Sequence, residues 1–191
     1  MPIVMVMDIP GGTSAHYDKV MELIGEVPAD GGIFHVASPS ENGWRVVDVW
    51  ESQEAFGRFF EAKLGAALAQ AQVPEGAPPQ FLPTHRVAIG QGDTSHAVAF
   101  VATIPGTIDQ YDEAVEKGGL LDSAGEMARP PGNVVHVCAA KGANEFLIVD
   151  VWESPEAFGA FMMNMGPVLE SVGIGDFEPP PLQPVHNVII A

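Results

Sequence analysis

Residues 47–57 read VDVWESQEAFG and residues 149–159 read VDVWESPEAFG, and within this window only Gln53 and Pro155 differ. The register extends well beyond the block. His35 precedes His136 by 101 residues, His85 precedes His186 by 101, and Trp50 precedes Trp152 by 102. Self-similarity of this kind means that one supersecondary unit occurs twice. It divides the 191 residues into a first domain over 1–92 and a second over 93–191. Units this small bury a modest core and gain by packing on a partner, so the halves are expected to form an internal pseudo-dimer about a pseudo-two-fold axis.

Outward from the repeated block, each copy carries the same order of patterns. The block is a strand that runs into a helix: Ser52 and Ser154 are N-caps, and Glu54 and Glu156 place negative charge in the first turn. The helix carries Phe56, Phe59, Phe60, Leu64 and Leu68, matched by Phe158, Phe161, Met162 and Val168. Upstream, 33–37 and 134–139 form hairpins with the strands 44–50 and 146–152. Before these, apolar runs at 3–9 and 97–104 end in Pro-Gly turns. Thr13 or Ser14, and Thr107, then cap helices bearing Tyr17, Val20, Met21 and Ile24 in one copy and Tyr111 and Val115 in the other. Proline-rich loops at 74–79 and 178–181 lead to closing strands at 83–89 and 184–190.

The order β-α-β-β-α-β is the ferredoxin-like split βαβ arrangement, and right-handed crossovers give a sheet in the order 4-1-3-2 with both helices on one face. Both sheet faces are apolar and both need cover, so the predicted class is α+β, with two ferredoxin-like repeats packed sheet to sheet. Element order and the VDVWES-x-EAF segment together resemble a tandem fusion of the dimeric α+β barrel superfamily. That superfamily includes antibiotic-biosynthesis monooxygenases, haem-degrading monooxygenases and muconolactone isomerases. The resemblance implies that the fourth strand of one copy approaches the second strand of the other, bringing His186 near His35 and His85 near His136.

The charge is −17, from 25 acidic and 8 basic residues. Nucleic acid and anionic membrane surfaces are thereby poor partners, and no apolar run approaches the ~20 residues of a membrane span. Cys138 is the single cysteine, which excludes an intrachain disulfide; with no charged-then-apolar leader, the chain reads as cytoplasmic. No cofactor is expected. Phosphate-binding glycine motifs are absent, and the second helices contain no histidine of the kind that haem-degrading relatives use as axial ligand. The first strands also lack the asparagine with which, by the same resemblance, cofactor-independent monooxygenases hold an anthrone-type substrate.

Four histidines are duplicated. A tight hairpin turn places His35 opposite Asp48 and His136 opposite Asp150, and a carboxylate beside an imidazole fixes its tautomer and suits it to acid–base work. His85 and His186 are the second polar groups of each site, or else satisfy backbone at a sheet edge. Two imidazoles and one carboxylate also match a metal ligand set, although the spacing carries none of the short-range metal signatures, and no metal is assigned. Trp50 and Trp152 alternate onto the face of the His–Asp pair and serve either the core or a cavity wall; Tyr17 and Tyr111 either anchor their helices or reach a ligand. The copies diverge at Arg58/Ala160, Lys63/Met165, Trp44/Phe146 and Arg86/Asn187, and Met162 and Met165 make the second long helix receptive to an apolar ligand.

The leading expectation is an enzyme that acts on a hydrophobic, aromatic or polycyclic small molecule by histidine-based proton transfer, as a cofactor-independent oxygenase, isomerase or cyclase. The alternatives are a non-catalytic ligand-binding or stress-associated protein and a metal-dependent enzyme with a His/His/Asp site. Assembly beyond the internal pseudo-dimer, into a further homo-oligomer, is left open.

Overall fold

The computed structural model describes residues 1–25, 28–175 and 177–191. The chain forms two compact units, Met1–Pro83 with Val185–Ala191, and Thr84–Pro184. The first contains β1 (Ile3–Pro10), α1 (Ser14–Ile24), β2 (Gly32–Ser40) and β3 (Gly43–Trp50). A long helix follows in three parts: α2 (Gln53–Phe59), a π-helical turn (Phe60–Leu64) and α3 (Gly65–Gln70). Strand β4 (Gln80–Ile89) leaves the first unit and enters the second. There, β5 (Val98–Pro105), α4 (Ile108–Lys117), β6 (Asn133–Ala140), β7 (Glu145–Trp152), α5 (Pro155–Ser171) and β8 (Gln183–Pro184) follow. Strand β9 (Asn187–Ile190) returns to the first unit.

The sheet of the first unit runs β4-β1-β3-β2-β9 and that of the second β8-β5-β7-β6-β4, with every pairing antiparallel. The α+β class and the 4-1-3-2 order expected from the sequence are present in each. The fifth strand of each comes from the other repeat: β9 adds to β2, and the end of β4 adds to β6. Proline marks both exchanges. Pro83 is the last β4 residue on β1, opposite Ile3, and Pro184 ends β8 opposite Val98. Proline has no N–H to give the ladder, which suits it to the point where pairing stops. Hence residues 184–190, read as one closing strand, form two short ones.

The caps follow the sequence. Thr13, Thr107, Ser52 and Ser154 each accept from a backbone N–H one turn on, and Thr107 with Gln110 forms a reciprocal capping box. The π-helical turn was not foreseen, and it changes the match between the copies. A π turn accommodates one additional residue. Phe59 still corresponds to Phe161, but at the end of the turn the buried Leu64, rather than Lys63, takes the place of the buried Met165. Among the described residues no helix is long and apolar enough to cross a membrane.

Candidate active site

Alternation on β2 and β3 sends His35 and Asp48 to the helix-covered face, and the hairpin register sets them opposite one another. His35 Nδ1 lies 2.6 Å from Asp48 Oδ1, and His35 Nε2 lies 2.8 Å from the hydroxyl of Tyr17 on α1. Asn187 of β9 donates from Nδ2 to the same hydroxyl at 2.8 Å. The Asp48 carboxylate only accepts, which places a proton on His35 Nδ1; Nε2 of the neutral imidazole then accepts from the Tyr17 O–H, whose oxygen in turn accepts from Asn187. The result is a directed chain, Asn187 to Tyr17 to His35 to Asp48, each link satisfied.

The second unit repeats the core of this chain. His136 sits opposite Asp150, with Nδ1 2.8 Å from the carboxylate and Nε2 2.8 Å from the Tyr111 hydroxyl. In both units the imidazole stacks on its tyrosine, with 18° between ring planes in the first and 5° in the second. The pairs differ in access. The His35 side chain is 20% exposed and that of His136 10%.

Each chain forms part of the wall of an apolar cavity. In the first unit Tyr17, His35, Asp48 and Trp50 line it together with Phe59, which precedes the π-helical turn, and Leu64, which ends it. In the second the wall includes Tyr111, His136, Asp150, Trp152, Met162 and Met165. The cavities offer ≈ 90 and ≈ 80 Å3 to the centre of a water-sized molecule. By that measure one water needs about 10–15 Å3, so either has room for a small organic ligand.

No family model matches the chain, and no curated protein matches it. Solved structures do. A provisionally named monooxygenase from Lactobacillus acidophilus superposes with a TM-score of 0.71 at 12% identity, covering 99% of this chain and 96% of its own. A second such protein, from Fusobacterium nucleatum, gives 0.72 at 14%, covering 99% and 94%. An anthrone oxidase-like protein gives 0.56 at 12%, covering 99% and 92%. The chain shares the fold of these three structures.

The closing histidines lie beside these hydrogen-bonded chains and are not among the residues that line the cavities. His186 bonds Asp18 at 2.7 Å, and its ring stands edge-on to Tyr17 and Trp44. His85 bonds Asp112 at 2.9 Å, with its ring edge-on to Tyr111. Arg86, the counterpart of Asn187, also binds Asp112 and makes no bond to the tyrosine. Among the described residues no three His, Cys, Asp or Glu side chains are arranged to hold a metal ion. The imidazole nitrogens that would be needed are already bonded to Asp48, Tyr17 and Asp18, or to their counterparts.

Burial pushes the Tyr17 phenol up to about 12; the Asn187 bond opposes this, while Asp48 and Asp18 reinforce it. Tyr111 is pushed higher still, by burial and then by Cys138, and burial likewise raises the Cys138 thiol. Both phenols therefore keep their protons at neutral pH and act as donors. For Asp112 burial works upward, but the bonds and charges of His85 and Arg86 prevail and hold the carboxyl below its ordinary range.

These two phenols are the only tyrosines in the sequence, which makes their titration legible. Absorbance at 295 nm is expected to show no tyrosinate at pH 10, where free tyrosine is half ionised. The first phenolate, from Tyr17, is expected near pH 12. A raised folded value contributes stability that is complete below pH 10 and is lost as pH rises towards 12. A phenolate step at pH 10 in folded protein contradicts the burial of the two phenols.

Proposed function

We propose that the chain is a small-molecule enzyme whose first-unit cavity binds an apolar, ring-bearing carbonyl compound and moves a proton on it. The observation that supports this is the directed Tyr17–His35–Asp48 chain in the wall of an apolar cavity. A proton leaving the carbon next to the carbonyl reaches the Tyr17 oxygen as the phenol's own proton passes to His35 Nε2. Asp48, holding Nδ1–H, offsets the charge of the imidazolium formed. The bonding electron pair stays on the substrate as an enolate. Return of the proton to a different atom completes an isomerisation without a cofactor.

A second reading draws on the names of the structural neighbours, two monooxygenases and an anthrone oxidase-like protein. The same enolate can react with dioxygen, converting a methylene carbon into a carbonyl while the second oxygen atom leaves as water. Both readings share the proton abstraction. We expect the protein in D2O to exchange the acidic methylene protons of 2-tetralone, a bicyclic ketone, faster than buffer does, as followed by proton NMR. Binding of the ketone without exchange or oxidation assigns the cavity to ligand binding alone.

A further inference from the structure

The chain contains three tryptophans, Trp44, Trp50 and Trp152; each is buried, each has an indole N–H without a partner among the described residues, and each belongs to a core that a cavity opens into. Buried donors without acceptors are costly, and native structures rarely keep them without a reason. Trp44 and Trp50 are both among the residues that line the first cavity, and the indole N–H of each is buried without a partner among the described residues. In the second, Trp44 is replaced by Phe146, which has no N–H, and only Trp152 remains.

A second difference lies directly across the sheet. Gly32 is the cross-strand neighbour of Trp50, whereas Asn133 is the cross-strand neighbour of Trp152. Cross-strand neighbours share a face, with Cβ atoms about 4.5–5.5 Å apart. Asn133 is 3% exposed; its Nδ2 donates to Val135 O at 3.2 Å and reaches Asp150 Oδ1 at 3.5 Å. Those two partners are a carbonyl and a carboxylate, which only accept, so the amide cannot be turned round. The Asn133 oxygen is consequently held away from them, buried and without a donor.

We infer that the two cavities read different functional groups: the second selects an apolar ligand bearing a hydroxyl, seated between Asn133 and Trp152, and the first selects one bearing a carbonyl. A single hydroxyl satisfies both orphans of the second cavity, donating to Asn133 Oδ1 and accepting from Trp152 Nε1–H. A carbonyl or ether oxygen can meet Trp152 but faces Asn133 acceptor to acceptor. In the first cavity a carbonyl oxygen accepts from the Trp50 indole and meets no opposing side-chain acceptor across the strand pair, because Gly32 has no side chain. This inference rests on the cavities being ligand sites, as proposed above, and gives each its ligand class.

The test uses the intact chain and its three indole 15N–1H resonances, assigned by Trp-to-Phe variants and titrated with 1-naphthol and with 1-methoxynaphthalene. Naphthol is expected to move the Trp152 resonance downfield, and the methyl ether, which lacks the donor, to bind that cavity about ten-fold or more weakly. Asn133→Gly, which installs the first repeat's residue, should weaken naphthol at Trp152 by a similar factor and leave the ether unchanged or tighter. Asn133→Leu keeps the bulk and checks that result if the glycine variant unfolds on heating below the parent. Equal affinity for both probes at Trp152, or equal losses in the variants, overturns the selectivity while leaving the cavities as ligand sites. No shift of any indole with either probe overturns the ligand-site reading itself.

Discussion

Replacing His35 by alanine is expected to slow ketone proton exchange by about 10²–10⁴-fold, the usual cost of losing a general acid or base. Tyr17→Phe should fall in the same range, because it removes the hydroxyl that passes the proton to His35 while keeping the ring that stacks on the imidazole. Both variants leave a polar group bereft. Asp48 is 7% exposed, and without its donor it costs about 1–3 kcal/mol in stability. The discriminating comparison is therefore turnover at temperatures where each variant is folded. A lowered melting temperature with exchange unchanged removes His35 from the chemistry and leaves it a structural residue. His136→Ala is expected to have the smaller catalytic effect, since its side chain has half the exposure of His35 and its tyrosine lacks an amide donor such as Asn187.

Deleting residues 185–191 is expected to have the largest effect on stability, confined to the first unit. The deletion removes four paired residues from the β2 edge, together with the bonds from Asn187 to Tyr17 and from His186 to Asp18. Val188, Ile189 and Ile190 are half-buried, and at about 1 kcal/mol each plus the lost polar contacts the total is on the order of 5 kcal/mol. Small domains are stable by about 5–15 kcal/mol, so the first unit is left near its limit. Two-step thermal unfolding should appear, with the Trp44 and Trp50 resonances lost first and Trp152 retained. A single unshifted transition contradicts the placement of β9.

Much of this was legible because it depends on local rules. Alternation and a tight turn are enough to put His35 opposite Asp48 and His136 opposite Asp150, since a two-residue period leaves few registers that keep Val36 and Val47 inside. The serine and threonine caps are similarly local. The Tyr17–His35 bond was not legible, because it joins a helix to a strand 18 residues on and depends on how α1 crosses the sheet. Asn133 escaped notice for another reason: a lone asparagine at a strand start reads as turn chemistry until burial shows that its oxygen has no partner. The π-helical turn leaves no mark in composition. Its effect is that Leu64 and Met165 occupy like places in the two cores.

The exchanged strands also set a timetable for biosynthesis. Thr84–Pro184 is one continuous stretch, so the second unit has all its parts as soon as that stretch leaves the ribosome. The first unit pairs Phe34 with Ile190 and cannot be completed until the final strand emerges. At about 5–20 residues per second, the roughly 150 residues between β2 and β9 keep the β2 edge waiting on the order of 7–30 s. An open edge is a template for a strand from any chain, so crowded nascent chains are expected to trade their β9 segments. The Tyr17 relay, which takes its last donor from Asn187, is thus completed only after every part of the second unit has been made.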